Sequence, residues 1–349
     1  MCNIEDYKST QNRVKFYRKL VFPFVPVYYL VTYVRNKLYD NGIIKSKSYD
    51  FPVICVGNLS VGGTGKTPMI EYLIYLLKDA YTIATLSRGY KRKSKGFQLG
   101  NEAASAEILG DEPFQFYTKF NKDVQVAVDS NRVQGIKSLL ELHNKPQIIL
   151  LDDAFQHRRV KAGFNILLTT YDNLYTDDFL LPAGNLRESG TGANRADAIV
   201  ITKCPTALDE MEMGNIINKI NPQKHQAVFF SRIVYSEKVK SLKNEVDLSA
   251  VNNFTLVTGI ANATPLVEYL KSKNLKFEHL NYQDHYRFTS NDIEKLTQYK
   301  MIITTEKDFM RLQSFNALQD TLYYLPIKVQ LNESEKFNKL IKQFVESKL

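Results

Sequence analysis

The chain has 349 residues, more than one comfortable hydrophobic core, so about two domains of ~150 residues each are expected. Its composition is globular, and Cys2, Cys55 and Cys204 are too widely spaced to support a zinc site or a disulfide framework, which fits a reducing cytosolic setting. With 46 Lys and Arg against 37 Asp and Glu, the formal charge of +9 points to an anionic partner: nucleotide, acidic lipid surface or nucleic acid.

Residues 1–40 stand apart. Leu20 to Val34 (LVFPFVPVYYLVTYV) is almost wholly apolar, between Arg13, Lys15, Arg18 and Lys19 on one side and Arg35 and Lys37 on the other. As a helix it would span only ~22 Å, short of a ~30 Å hydrocarbon core, and Pro23 and Pro26 are expected to disturb it. A membrane-associating segment that lies in the interface or inserts shallowly is expected, with packing onto the main domain as the structural alternative. No small-residue cleavage site follows, so it does not read as a secretory signal.

Next, the apolar run VICVGN (53–58) breaks into a glycine-rich loop and restarts as an amphipathic helix, the context of a phosphate-binding loop. Gly62, Gly63 and Gly65 let backbone N–H groups turn inward on phosphates, and the helix N-terminus adds partial positive charge. Lys66 reaches the β- and γ-phosphates and the Thr67 hydroxyl holds Mg²⁺. Ser60 stands where the general pattern G-x-x-x-x-G-K-[ST] has glycine, and with Thr64 it completes the nucleotide-binding set.

Apolar strands then alternate with helical stretches: TIATLSRG (82–89), VQVAV (124–128), IILLDD (148–153), FNILLTT (164–170) and AIVITK (198–203). This is α/β patterning around a mostly parallel, buried sheet of P-loop NTPase type. A second series, FTLVTGI (254–260), FEHLNY (277–282), MIITTEKD (301–308) and LYYLPIKVQL (322–331), predicts a second, smaller α/β domain. The expected domains are 1–40, 41–232 and 233–349, with the last join in the stretch from Val228 to Val246, where the chain turns polar and Lys-rich.

Asp152 and Asp153 end an apolar strand, where phosphate-loop proteins place the carboxylate that serves Mg²⁺. Asp111, in GDEP, reads by default as a helix cap with Pro113 in the first turn. The loop LPAGNLRE (181–188) offers Arg187 to a transferring phosphoryl group and Glu188 to a metal shell. Asp284-His285 after a strand is an acid–imidazole pair, and the basic run from Arg88 to Lys95 is either an anion-holding flap or a solvated one.

In this order, VGNLSVGGTGKTP, SRGYKR, GDEP, LLDDAFQH, LPAGNLRE, RADAIVITK, TGIAN, DHYRF and TEKD resemble the tetraacyldisaccharide 4'-kinase (lipid A 4'-kinase) family over nearly the whole chain. Ser60 is family-like; Ala154-Phe155 stands where Gly-Leu is usual, and Asn185 where Pro is common. The resemblance implies transfer of the ATP γ-phosphoryl group to the 4'-hydroxyl of a tetraacyldisaccharide 1-phosphate, with Mg²⁺, in lipid A biosynthesis. The partners implied are the lipid A disaccharide precursor and the cytoplasmic leaflet of the bacterial inner membrane, served by a peripheral or shallowly anchored monomer without nucleic acid. It also makes Lys66 and Arg187 catalytic, places Thr67, Asp152 or Asp153, and Glu188 around Mg²⁺, and turns Asp111 from cap to general base. His285 is expected to reach Asp111 from the second domain as the domains close.

The rival from another class is an ATP-driven switch bound to membrane or DNA. It predicts a lysine near the start of the loop, absent here, and leaves the GDEP, LRE and DHY strings without a role. A GTPase is disfavoured because ITKCP lacks the Asp of a guanine-reading motif.

Overall fold

The computed structural model describes residues 21–349. Arg13, Lys15, Arg18 and Lys19, the first basic flank of the expected membrane segment, lie outside them. Pro23 sits in a short 3-10 turn, Phe22–Phe24, and Pro26 in the first turn of helix α1, Val25–Asp40. The apolar stretch is thus not one continuous α-helix, as expected, but Pro26 leaves α1 itself unbroken: a first-turn proline gives up an N–H that has no intrahelical acceptor, and its fixed φ suits the helix.

The 16 residues of α1 span ~24 Å, and no described helix is long and apolar enough to cross a membrane. The helix is two-sided. Val27, Leu30, Val31 and Val34 share one face by their i, i+3, i+4, i+7 spacing, and all four are exposed. Tyr28, Arg35 and Asn36 lie on the other face and hydrogen-bond to the protein.

The chain divides into two compact units, each assembled from separate stretches. The first takes the chain up to Ile70, Gln147–Arg232 and Leu331–Leu349; the second takes Glu71–Pro146 and Ile233–Gln330. Residue 232 also ended the second expected domain, but residues 71–146 associate with the later stretch. The reason is physical: Phe114 packs on the cluster containing Phe309 and Leu312, and Glu71 and Glu306 share Lys119.

Within the first unit, β1 (Val53–Asn58), β2 (Ile148–Asp152), β3 (Phe164–Thr170), β4 (Ala198–Thr202) and β5 (Ala227–Tyr235) pair in the order β5-β4-β3-β1-β2. All are parallel, and β1, β2 and β4 are buried along their whole length, as a sheet covered on both faces requires. Register sets Val56 beside Asp152, so the chain after β1 and the acids ending β2 emerge at one carboxyl edge. Helix α2 (Lys66–Leu77) follows the loop after β1. Helix α3 (Ser334–Glu346) buries Phe337, Ile341 and Val345, one turn apart, with Phe337 edge-on to Phe229 at 5.1 Å between ring centres.

The second unit holds a parallel pair, Ile83–Ser87 with Val124–Val128, and a six-stranded sheet. In that sheet Leu322–Tyr324, Ile302–Thr304, Phe254–Thr258 and Phe277–Asn281 are parallel. The Lys-rich stretch expected at the domain join supplies its antiparallel edge, Lys238–Lys240 with Glu245–Asp247. Two expected strands are shorter than their apolar runs. MIITTEKD stops at Thr304 because Thr305 caps the helix Glu306–Leu312, accepting from the Asp308 N–H. LYYLPIKVQL divides after Tyr324, close to Pro326, which has no N–H to give to a ladder.

Deep in the second unit, Lys119 Nζ lies 2.6 Å from Glu71 and 2.9 Å from Glu306. Burial pushes both carboxyls above the usual range despite the lysine, and Glu71 pushes Glu306 further. Replacing Lys119 by Ala leaves two buried carboxylates without their cation, and a loss of ~3–5 kcal/mol is expected. A carboxyl raised in the folded state binds protons there before the unfolded chain does, so lowering the pH relieves the defect. Urea unfolding should therefore show a larger loss at pH 8 than at pH 6; equal losses would contradict this account of the cluster.

Candidate active site

After Asn58 the chain turns through a tight loop into α2. Gly62 (φ +109°) and Gly65 (φ +89°) take backbone angles that other residues adopt only with strain. The loop is pinned twice near its far end: Asn58 Nδ2 donates to Thr64 Oγ1 at 2.8 Å, and Thr202 Oγ1 donates to the Thr64 carbonyl at 2.8 Å. Thr67 is buried in the first turn of α2, and Ser60 is buried beside Leu186. There the Val61 N–H donates to the Asn185 carbonyl (2.8 Å) and the Arg187 N–H to the Leu59 carbonyl (2.7 Å). The LPAGNLRE loop thus runs antiparallel to the phosphate loop and delivers Arg187 to it.

Asp152 stays in β2 and is buried, whereas Asp153 turns out of the strand at φ +47°. Lys66 Nζ lies 3.7 Å from Asp153 Oδ1, and Arg187 Nη1 lies 3.0 and 3.1 Å from the two Asp153 oxygens. One carboxylate therefore gathers two cations beside the loop, an arrangement suited to a polyphosphate. Glu188 behaves differently. Its Oε1 accepts from Arg195 (2.7 Å) and Gln156 (3.1 Å), and its Oε2 from Asn36 (2.8 Å). So placed, Glu188 organises its neighbours, and with one hydrogen bond on Oε2 it keeps a lone pair there for the metal role expected of it. Helix α1 is tied to the same loops by Tyr28 Oη to the Arg187 carbonyl (2.8 Å) and Arg35 to the Gln156 carbonyl (2.7 Å).

Among the described residues no three His, Cys, Asp or Glu side chains gather to hold a metal by themselves. Mg²⁺ in kinase sites takes one or two carboxylates plus substrate phosphates and water, and the hard oxygens of Thr67, Asp152 and Asp153 fit that pattern.

In the second unit, Asp111 is the first residue of the helix Asp111–Phe120, after Gly110 at φ +93°, with Pro113 in the first turn. Its side chain does not cap the helix. Asp111 Oδ2 lies 3.1 Å from Arg311 Nε and 3.5 Å from His285 Nδ1. Asp111 and His285 belong to one compact unit, so the expected domain closure is not needed to bring them together. Burial raises the Asp111 carboxyl, but His285 and Arg311 outweigh it and hold it below its ordinary value. His285 has φ +59°, and its N–H donates to the Gly259 carbonyl at 3.1 Å.

Sequence reasoning missed Arg311, Asp308, Gln156 as a Glu188 partner, and the threonine of ITK, Thr202, as a pin of the phosphate loop. One signal was available: Thr305-Glu306-Lys307-Asp308 has the [ST]-x-x-[DE] form of a helix start, which sets Arg311 one turn beyond Asp308 on the same helix face.

The family model for Tetraacyldisaccharide-1-P 4'-kinase matches residues 17–346. The tetraacyldisaccharide 4'-kinase of Flavobacterium johnsoniae is 53% identical over 95% of this chain and 98% of its own length. That of Bacteroides thetaiotaomicron is 44% identical over 94% and 93%. Among solved structures, LpxK from Aquifex aeolicus in complex with ATP superposes with a TM-score of 0.76 at 34% identity, covering 94% of this chain and 99% of that one. With matches of this extent running through both units, the chain belongs to the tetraacyldisaccharide 4'-kinase family.

Proposed function

We propose that this chain is an ATP-dependent kinase that transfers the γ-phosphoryl group to the 4'-hydroxyl of tetraacyldisaccharide 1-phosphate, a step of lipid A biosynthesis. The observation that carries the reading is the pairing of Lys66 and Arg187 on Asp153 beside the phosphate loop, in a chain that also forms an Asp111–His285 pair. A switch ATPase on membrane or DNA has no use for that second pair.

The amides of the loop and Lys66 hold the β- and γ-phosphates of ATP. Arg187 neutralises charge gathering on the transferring group, while Asp153 keeps both cations aimed before the nucleotide binds. Thr67 and Asp152 or Asp153, with Glu188, would hold Mg²⁺, which would supply positive charge to offset that of the phosphates. Asp111 is ionised at neutral pH because its neighbours hold it low, so it accepts the 4'-hydroxyl proton as that oxygen bonds to the γ-phosphorus. The bond from phosphorus to the β,γ-bridging oxygen breaks and ADP leaves.

A tetraacylated substrate stays in the bilayer, since each buried CH₂ contributes ~0.8 kcal/mol. The exposed face of Val27, Leu30, Val31 and Val34 sinks into the cytoplasmic leaflet and brings the enzyme to it. The loops touched by the opposite face carry Arg187 and Glu188, so the anchor and the phosphate site are parts of one scaffold.

Asp111→Ala and His285→Ala should each lower kcat by roughly 10²–10⁴ while leaving the KM for ATP within a few-fold, measured with lipid substrate in detergent micelles. A rise in KM at constant kcat would remove both from the chemistry. Serine at positions 27, 30, 31 and 34 should abolish sedimentation with anionic phospholipid vesicles and leave ATP binding intact. Undiminished sedimentation would locate the membrane contact elsewhere.

A further inference from the structure

The guanidinium of Arg311 joins the catalytic pair to the interior of the second unit. Its Nε reaches Asp111 Oδ2 (3.1 Å), its Nη2 reaches His285 Nδ1 (3.0 Å), and its Nη1 reaches Asp308 Oδ1 (2.9 Å) and the Gly259 carbonyl (3.4 Å). Asp308 is fully buried and is itself fixed by the Gly259 N–H (2.9 Å) and the Thr305 hydroxyl (2.7 Å). Arg311 is therefore a rigid fork, with little exposure and no rotational freedom left to it.

A guanidinium keeps all its hydrogens, so the nitrogen facing His285 Nδ1 is a donor and Nδ1 must be the acceptor. A proton on Nδ1 would set two N–H groups against each other at 3.0 Å. The approach to Asp111 Oδ2 is longer, 3.5 Å; His285 holds Asp111 low only when it carries a proton on Nδ1, and with Nδ1 bare that hold falls to Arg311. The ring proton of neutral His285 then resides on Nε2. Both Arg311 and His285 meet Asp111 at Oδ2, which leaves Oδ1 to face a hydroxyl proton.

We propose that Arg311 is a positioning residue for the phosphoryl transfer: it fixes His285 as the Nε2–H tautomer and turns Asp111 so that Oδ1 is the proton-accepting oxygen. This rests on the reading of Asp111 and His285 as the catalytic pair. It assigns His285 a donor role at Nε2 in the resting enzyme, and it makes the TEKD segment the mount of the fork, through Thr305 and Asp308.

The fork also sets the charge around Asp111. Arg311 and His285 are the groups that act on it; Glu112 follows it on its own helix, Asp284 precedes His285, and Lys307 and Asp308 lie on the helix of Arg311. Lys307 is paired with Glu112 at 2.8 Å, so Arg311 is the cation in direct contact with Asp111. Removing it must raise the Asp111 carboxyl, and because the base works ionised, activity will then be lost at a higher pH on the acid side.

The test uses the full chain in detergent micelles. Arg311→Gln should lower kcat about 10²-fold, leave the KM for ATP within a few-fold, and move the acid limb of the kcat/KM–pH profile up by about one unit. Arg311→Lys, which keeps the charge and loses the planar fork, should restore the limb but only part of kcat. Nitrogen NMR of labelled histidine, with the His285 signal assigned by its loss in His285→Gln, should show Nδ1 bare and Nε2 protonated in the unmodified enzyme. A protonated Nδ1, or a fall in kcat equal at every pH, overturns the proposal. If Arg311→Gln fails to fold, the Arg311→Lys profile and the NMR decide it. If Asp111→Ala retains full kcat, the catalytic pair itself is refuted, whatever the tautomer proves to be.

Discussion

The groups proposed to handle phosphate in the first unit hang from one constraint: β1 and β2 are hydrogen-bonded neighbours that run in the same direction and end together. Because Val56 sits beside Asp152, the turn into the glycine loop and the turn onto Asp153 open at one edge, where a parallel sheet leaves only loops. A slip of one residue would move every side chain of β1 to the opposite face. The edge is also crowded: a Cβ on Gly57 would lie 2.6 Å from the Phe155 Cβ, so glycine lets the two chain segments pass. Local sequence, strand register and chemistry are thus linked in one place.

Four carboxylates of the two units aim cations. Asp153 gathers Lys66 and Arg187, Glu188 holds Arg195, and Asp308 with Asp111 fixes Arg311. Charged groups with little exposure are costly unless paired, so each pair is held in a narrow geometry before any substrate arrives. Such preorganisation favours a reaction whose main demand is stabilising charge that develops on phosphate oxygens. It also spares the enzyme a reorganisation of its own side chains during transfer.

Much of this was legible in the residues. Buried parallel strands appear as mainly apolar runs such as VQVAV and FNILLTT, which match the observed strands residue for residue, interrupted only by the partly buried Gln125 and Asn165 and the closing Thr170. The phosphate loop was legible since its glycines and Lys66-Thr67 interrupt such a run. The discontinuous units were not, because the association of residues 71–146 with 233–330 rests on contacts such as Lys119 with Glu306, distant in the chain. Arg311 was hidden for the same reason: a single arginine on a short helix acquires meaning only when Asp111 and His285 are folded around it. The proline pair marks where the α-helix of the N-terminal segment begins: Pro23 sits in the 3-10 turn before it and Pro26 in its first turn.

The account stands most directly on where the phosphorus goes. The measurement is a single turnover with γ-labelled ATP, Mg²⁺ and tetraacyldisaccharide 1-phosphate in micelles, followed by phosphorus NMR of the lipid and counting of label in lipid, protein and free phosphate. The account predicts one label on the 4'-oxygen for each ADP formed, with none retained on protein. Label on the protein, or free phosphate released with the lipid unmodified, would contradict it.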